Sequence, residues 1–196
     1  MTLPNFITLF RFCLVPVFVG ALLYYQRSYR LGEPDSLYWA IALGSFVTAS
    51  LSDALDGILA RRLNLHSQLG AIMDPLADKA LLVSAIITLC WLDTDLAQLP
   101  IWFAVLVLGR DFLLVAGVIG LQVYVRNIKI KPHWSGKLST ALIMLIVSLI
   151  LLKCPSAWVD PLVWIGGAFT LLSTGIYLSR GMRAVVTSGI DPPRHR

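Results

Sequence analysis

The sequence predicts an all-α, polytopic membrane protein with six transmembrane helices and with its N- and C-termini in the cytoplasm. Of the 196 residues, 57% are hydrophobic and only 14% are charged, whereas about a quarter of a typical soluble domain is charged. The apolar residues fall into six runs, each close to the about 20 residues that cross a bilayer as a helix. Short connections predict one six-helix domain over residues 1–183, followed by a short basic cytoplasmic tail over residues 184–196.

The first three spans follow from apolar runs near the N-terminus. Pro4–Tyr25 is the first span; it is not a cleavable signal, because no basic region precedes it and Arg11 lies inside it. Leu37–Leu59 is the second span. Gly70–Leu92 is the third, and it begins at a glycine.

The last three spans are Leu99–Val125, Trp134–Leu152 and Trp158–Ser179. The connection before the fourth span reads DTDLAQ, with two acids and no base, which is typical of an outer loop. Tryptophan and tyrosine gather near the ends of the predicted spans, as they do at membrane interfaces. These aromatic residues are Tyr24, Tyr25, Tyr38, Trp39, Trp91, Trp102, Trp134 and Trp158.

The placement of lysine and arginine predicts the orientation. With the N-terminus inside, ten basic residues lie in inner segments, three in outer loops and three within spans. The inner ones are Arg61, Arg62, Arg126, Lys129, Lys131, Lys137, Arg180, Arg183, Arg194 and Arg196; the outer ones are Arg27, Arg30 and Lys153. Cytoplasmic loops carry the basic excess, so both termini are predicted inside. The net charge of +5 then reflects loops facing anionic lipid, and no nucleic-acid partner is expected.

Four aspartates lie where the second span ends and the third begins. Asp53 and Asp56 are three residues apart, and Asp74 and Asp78 are four apart. Each pair therefore shares one face of its helix. Because the two spans are joined by a short turn, all four carboxylates are expected in one pocket at the cytoplasmic end. Helix capping is the alternative for the second pair, but carboxylates near a helix C-terminus, like the first pair, oppose the macrodipole.

Converging carboxylates need a counter-charge, because two unit charges ~4 Å apart repel by roughly 4 kcal/mol at an effective dielectric of ~20. Hard oxygen ligands favour Mg²⁺ or Mn²⁺. Four carboxylates exceed what one Mg²⁺ takes from protein, so two ions are predicted, with substrate phosphate completing their coordination. Small residues at Gly57, Ala60 and Gly70 let a ligand approach the backbone, and Arg61 and Arg62 can hold a phosphate.

The same stretch carries a longer pattern, D-x2-D-G-x2-A-R-x8-G-x3-D-x3-D, which runs without a mismatch from Asp53 to Asp78. This pattern resembles the signature of the CDP-alcohol phosphatidyltransferase family. The stretches LPNFITLFR, DPLADK, GRD and SGKLSTA resemble the glycerol-type branch of that family. From the first of these stretches to the last, the resemblance extends over about three quarters of the chain, and the six-span layout of the family agrees with the count above.

The resemblance implies an enzyme that transfers the phosphatidyl group of CDP-diacylglycerol to an acceptor hydroxyl and releases CMP. It implies that Asp53, Asp56, Asp74 and Asp78 bind the metal ions, and that Asp78 also takes the proton of the acceptor. It assigns the cytidine nucleotide to Gly57, Ala60, Arg61 and Gly70. It further suggests a homodimer, set in the membrane lipid from which its substrates come.

Two glycerol-type acceptors fit the resemblance. Glycerol 3-phosphate would give phosphatidylglycerophosphate, and phosphatidylglycerol would give cardiolipin. By position, Arg110 and Lys137 resemble the basic residues that bind an anionic acceptor. The reading GRD in the fourth span, followed by IKPHWSGKLSTA, is similar to cardiolipin synthases. Glycerol 3-phosphate remains the first expectation, because it is the commoner acceptor for a short chain that opens this way.

A membrane transporter is the rival class, because charged residues within spans also mark ion pathways. No internal repeat is visible, and the aspartates lie at the predicted cytoplasmic edge and not at the midplane, where transporter sites form. The expected location is therefore an integral membrane enzyme with its active site facing the cytoplasm, in the inner (plasma) membrane if the source is bacterial.

Overall fold

The computed structural model describes the backbone of residues 3–63, 68–124 and 134–188, and the side chains of residues 9–52, 79–117, 136 and 138–179. Within this part the chain forms helices and no strand, which confirms the all-α prediction. The helices are α1 (Leu3–Arg30), α2 (Ser36–Leu63), α3 (Gln68–Trp91), α4 (Ile101–Tyr124), α5 (Trp134–Leu151) and α6 (Ser156–Ser188). Each helix overlaps one predicted span. Helix α6 continues to Ser188, and the end of the predicted tail, residues 189–196, lies outside the described residues.

Helix α1 continues five residues beyond its predicted end at Tyr25, because its end is set by a backbone cap. Gly32 has a φ of +81°, a left-handed conformation that glycine adopts without strain. Its N–H donates to the carbonyl of Tyr29 at 3.1 Å, and the N–H of Glu33 donates to the carbonyl of Ser28 at 3.2 Å. This pair of bonds is the Schellman arrangement, which satisfies the last carbonyls of a helix.

Helix α2 starts at a carboxylate cap. The N–H of Leu37 donates to Asp35 Oδ1 at 2.9 Å, which satisfies one of the free N–H groups at the helix start. The N–H of Asp35 in turn donates to Ser28 Oγ at 3.1 Å. The connection between α1 and α2 is therefore held by side-chain hydrogen bonds as well as by the glycine.

The chain divides into two compact units. The first comprises residues 1–99 and 147–159. In it, α1 packs against both α2 and α3, and α2 also contacts α3. Its core includes Phe18 and Phe46, whose ring centroids are 5.8 Å apart, and the buried side chains of Leu22 and Leu81.

The second unit comprises residues 100–146 and 160–196, and glycines bring its helices close together. A Cβ at Gly166 would lie 3.1 Å from Ile146 Cδ1, and a Cβ at Gly167 would lie 2.9 Å from Trp102 Cζ3. The indole rings of Trp102 and Trp164 pack against each other with centroids 4.8 Å apart. Small residues in α6 thus allow close helix packing, as is common in membrane proteins.

Among the described residues, two helices are long and apolar enough to cross a membrane, over Leu9–Arg30 and Ser156–Ser179. Only 28% of each apolar window is buried inside the protein, whereas the core helix of a soluble protein is mostly buried. Large apolar side chains instead face outward; Phe112 is 73% exposed and Trp164 is 68% exposed. Exposed apolar surface on this scale marks a lipid or protein contact, and it agrees with the predicted membrane location.

Candidate active site

The four aspartates of the signature occupy two helices that contact each other. Asp53 and Asp56 lie in α2, Asp74 and Asp78 lie in α3, and both helices pack against α1. Only residues 64–67 separate the two helices along the chain. The backbone thus brings the carrier helices together, while the aspartate side chains lie outside the described residues and their convergence remains a prediction.

The residues predicted to bind the nucleotide belong to the same stretch. Gly57, Ala60 and Arg61 lie in α2, and Gly70 lies in the first turn of α3. Their side-chain environment also lies outside the described residues. They lie near the end of α2 and the start of α3, on either side of the connection between the two helices. The sequence predicts the entrance of the site there.

The donor set of the predicted metal site fits a hard divalent cation. Carboxylate oxygens are the ligands that Mg²⁺ and Mn²⁺ prefer, and two adjoining helices carry four of them. Among the side chains that the structure describes, no group of three or more His, Cys, Asp or Glu forms a second candidate. The aspartate set stays the predicted metal centre on the chemistry of its donors.

Arg110 is the predicted site residue whose side chain lies among the described residues. It lies in α4, and its side chain is 5% exposed. Its Nη1 donates to Ser139 Oγ at 3.3 Å, and its Nη2 donates to Ser173 Oγ at 3.4 Å and to the carbonyl of Gly136 at 3.5 Å. The guanidinium is therefore held by two serines and one carbonyl, contributed by α5 and α6.

The two serines are part of a larger hydroxyl network. Ser139 Oγ and Thr170 Oγ1 are 2.9 Å apart, and Thr170 Oγ1 donates to the carbonyl of Gly166 at 2.7 Å. Ser139, Thr170 and Ser173 are all fully buried. Within the described residues, Arg110 has neutral partners and no ion pair, and its Nε has no hydrogen-bond partner.

Gly136 leaves the space that the guanidinium occupies. A Cβ at this position would lie 3.1 Å from Arg110 Nη2 and 3.3 Å from the hydroxyl of Tyr177. The GRD stretch of α4 and the SGKLSTA stretch of α5 thus meet at this glycine and at Ser139. Lys137, the other predicted acceptor residue, lies in α5 beside Gly136, but its side chain lies outside the described residues.

Sequence reasoning selected Arg110 but missed the serines and the threonine that hold it. Ser139 belongs to SGKLSTA, and Thr170 and Ser173 are polar residues three apart in a largely apolar segment. Such a pair lies on one helix face. The spacing of Thr170 and Ser173 predicts a polar face on α6, but it does not predict which helix contacts that face.

Sequence reasoning also missed a charged cluster in the first unit. Lys153 Nζ donates to Asp95 Oδ2 at 2.8 Å and to the hydroxyl of Tyr25 at 2.9 Å. Tyr25 donates to Asp95 Oδ1 at 2.5 Å. Lys153 also lies 5.1 Å from the ring centroid of Tyr25 and 5.0 Å from that of Trp39.

The cluster shifts the pKa values of its two charged members toward the ionised forms. Burial raises the pKa of Asp95, but hydrogen bonds from Lys153 and Tyr25 outweigh burial and bring this pKa below its usual value. Burial lowers the pKa of Lys153, but hydrogen bonds to Asp95 and Tyr25 outweigh it and raise this pKa. Lys153 makes these contacts from a left-handed backbone with φ of 56°, at a position where glycine commonly ends a helix.

Comparison with known proteins gives consistent matches. Residues 1–172 match the family model of the CDP-alcohol phosphatidyltransferases. A probable phosphatidylglycerophosphate synthase of Mycobacterium tuberculosis is 36% identical over 186 residues, covering 93% of this chain and 83% of the relative. A CDP-diacylglycerol--glycerol-3-phosphate 3-phosphatidyltransferase of Bacillus subtilis is 34% identical over 197 residues, covering 95% and 98%. A CMP-forming cardiolipin synthase of Streptomyces coelicolor is 32% identical over 189 residues, covering 95% and 82%.

Proposed function

The chain belongs to the CDP-alcohol phosphatidyltransferase family, and from this premise we propose that it transfers the phosphatidyl group of CDP-diacylglycerol to glycerol 3-phosphate, releasing CMP and giving phosphatidylglycerophosphate. The predicted family and the predicted enzyme class are confirmed by the matches over nearly the whole chain. The observation that carries the proposal is the complete eight-position signature inside the matched region.

The four aspartates of that signature would hold two divalent cations, Mg²⁺ or Mn²⁺. When bound, the ions supply charge neutralisation at the diphosphate of the substrate. Enzymes of this family generally depend on a divalent metal, which supports the assignment. Arg61 adds a guanidinium to the same task, and the small residues Gly57, Ala60 and Gly70 leave room for the cytidine nucleotide.

The reaction needs one base and one leaving group. Asp78 takes the proton from the acceptor hydroxyl, which must lie within hydrogen-bond reach of the carboxylate. The acceptor oxygen forms a bond to the phosphorus that bears diacylglycerol, and the bond from that phosphorus to the CMP oxygen breaks. CMP leaves with the electron pair. No covalent enzyme intermediate is required.

Arg110 and Lys137 bind the phosphate of glycerol 3-phosphate in this proposal. A buried guanidinium whose described partners are neutral retains its full charge for an anion. The second candidate acceptor is phosphatidylglycerol, which would give cardiolipin. The relative from Streptomyces coelicolor, named as a cardiolipin synthase, favours that candidate.

We further propose six transmembrane spans, both termini in the cytoplasm and an active site that faces the cytoplasm, with one domain over residues 1–183, a basic tail over 184–196 and a homodimeric assembly. The charged cluster supports this topology. Asp95 and Lys153 come from two predicted outer loops, Tyr25 ends the first span and Trp39 lies at the start of the second. Their contacts are those expected if all these segments share the outer side. In a bacterium the location would be the inner (plasma) membrane.

Purified protein in lipid vesicles tests the activity directly. With Mg²⁺ or Mn²⁺ and CDP-diacylglycerol, we expect release of CMP when glycerol 3-phosphate is added, and loss of that release with a chelator. Asp78→Asn should lower the rate at least 100-fold, because the general base is removed. Asp160→Asn is the matched control, since Asp160 is exposed at the start of α6.

The outcome separates the candidates. Greater CMP release with phosphatidylglycerol than with glycerol 3-phosphate would assign cardiolipin synthesis instead. No CMP release with either acceptor would exclude the proposed transferase activity and would favour the alternative of a membrane transporter. An unchanged rate for Asp78→Asn would remove Asp78 from the role of base.

A further inference from the structure

Within the part of the chain that the structure describes, the buried guanidinium of Arg110 has no charged partner. A buried charge is stable only when it is paired or well supplied with hydrogen bonds. Three of its hydrogen bonds go to neutral oxygens, and within the described residues no carboxylate pairs with it. Its Nε, which is buried, has no partner in that part of the chain. An anion from the substrate would complete this arrangement.

The hydroxyl network gives Ser139 a defined polarity. A hydroxyl has one proton to donate. Thr170 donates its proton to the carbonyl of Gly166 at 2.7 Å, so the contact between Ser139 and Thr170 at 2.9 Å uses the proton of Ser139. The lone pairs of Ser139 Oγ are then free to accept from Arg110 Nη1. The network therefore orients Ser139 as an acceptor toward the guanidinium.

We propose that Ser139 and Ser173, together with the bare backbone of Gly136, are positioning residues that hold Arg110 ready to bind the phosphate of the acceptor and so set the affinity for it. The inference rests on the proposed function. A carboxylate in place of these serines would hold the guanidinium more tightly, but it would also neutralise the charge that the phosphate needs. Neutral oxygens orient the guanidinium and leave its charge available.

Gly136 contributes to the position of Arg110 because it has no side chain. A methyl group there would lie 3.1 Å from Arg110 Nη2, so the guanidinium would have to move by a few tenths of an ångström. Its carbonyl also accepts from the same nitrogen at 3.5 Å. Gly136→Ala therefore changes the position of Arg110 without removing any hydrogen-bonding group from the cluster.

Steady-state kinetics of the full-length protein in vesicles test the proposal. For Ser139→Ala and for Ser173→Ala we expect the KM for glycerol 3-phosphate to rise about 5-fold, which corresponds to about 1 kcal/mol. The KM for CDP-diacylglycerol should stay within about twofold of the wild-type value, because in this proposal the acceptor is the substrate that contacts Arg110. Inorganic phosphate, used as a competitive inhibitor against glycerol 3-phosphate, should lose affinity by a similar factor. Gly136→Ala should raise the same KM about 5-fold or more.

Thr174→Ala is the matched control. Its hydroxyl lies one residue from Ser173 in α6 but donates to the carbonyl of Thr170 at 2.8 Å. Its removal should leave the acceptor KM unchanged. Melting temperatures of all variants, measured in the same detergent, show whether any loss comes from the fold.

The results distinguish the inference from the function beneath it. If the wild type releases no CMP, the proposed function fails. A second outcome is that the wild type releases CMP and Arg110→Lys raises the acceptor KM, but the serine and glycine variants change only kcat or the melting temperature. The positioning role is then overturned and the proposed function stands. If phosphatidylglycerol proves to be the acceptor, the same KM shift is expected for that lipid, and its absence overturns the inference.

Discussion

Replacing Lys153 by methionine tests how much the charged cluster contributes to stability. The variant keeps the aliphatic stem and the left-handed backbone, so that only the ammonium group is lost. The ion pair with Asp95 is partly exposed, 36% and 37% for the two side chains, so its contribution is only about 0.5–1 kcal/mol after screening. The hydrogen bond to Tyr25 adds about 1 kcal/mol, and the two ring contacts add about 0.5 kcal/mol.

These contributions predict a loss of about 2 kcal/mol, which for a chain of this size lowers the melting temperature by about 4–8 °C. Thermal unfolding in detergent measures it. A double-mutant cycle with Asp95→Asn should give a coupling energy of about 1 kcal/mol, because each single variant removes the shared ion pair.

Arg30→Met is the control for a surface ion pair. Arg30 lies 3.6 Å from Asp93, and the two side chains are 61% and 70% exposed. Such a pair contributes under about 0.5 kcal/mol. If Lys153→Met lowers the melting temperature no more than Arg30→Met does, or if the coupling energy with Asp95 is zero within error, the assignment of the cluster as a stabilising contact is refuted.

Three further outcomes are expected. The stabilisation from Asp95 and Lys153 should depend on pH. Because folding lowers the pKa of Asp95, its stabilisation is present above about pH 3.9 and is lost as the pH falls through the pKa of the folded protein. Because folding raises the pKa of Lys153, its stabilisation is present below about pH 10.4 and is lost as the pH rises through the pKa of the folded protein. The difference in melting temperature between the wild type and Lys153→Met, measured across pH, should therefore become smaller toward both extremes. A constant difference would contradict this. Gly167→Ala should destabilise the protein by about 1–2 kcal/mol, because its methyl group would lie 2.9 Å from the indole ring of Trp102. Gly175→Ala in the same helix is the control, because open space surrounds it and no destabilisation is expected. If the two variants melt at the same temperature, α6 can shift to accommodate the methyl group. Gly32→Ala should reduce stability by about 1 kcal/mol, because alanine disfavours the φ of +81°, and an unchanged melting temperature would mean that the turn after α1 can rearrange.

The apolar runs predicted every helix, and their limits predicted some helix ends better than others. The fifth run ends at Leu152 and α5 ends at Leu151, whereas the first run ends at Tyr25 and α1 continues to Arg30. Apolarity marks the part of a helix that suits lipid, whereas a helix ends where the backbone is capped. The cap of α1 depends on Gly32, beyond the apolar run.

The site shows the same division between local pattern and packing. The eight-position signature carried the resemblance to the family. The spacing of the aspartates predicted that each pair shares one face of its helix, because residues three and four apart lie on the same side. The sequence by itself thus determined the helices and the signature, and it selected Arg110 as a candidate site residue. Only the tertiary structure decided that Arg110 meets Ser139 and Ser173, which are 29 and 63 residues away, because helix periodicity says which face is polar and only packing between helices says what that face contacts.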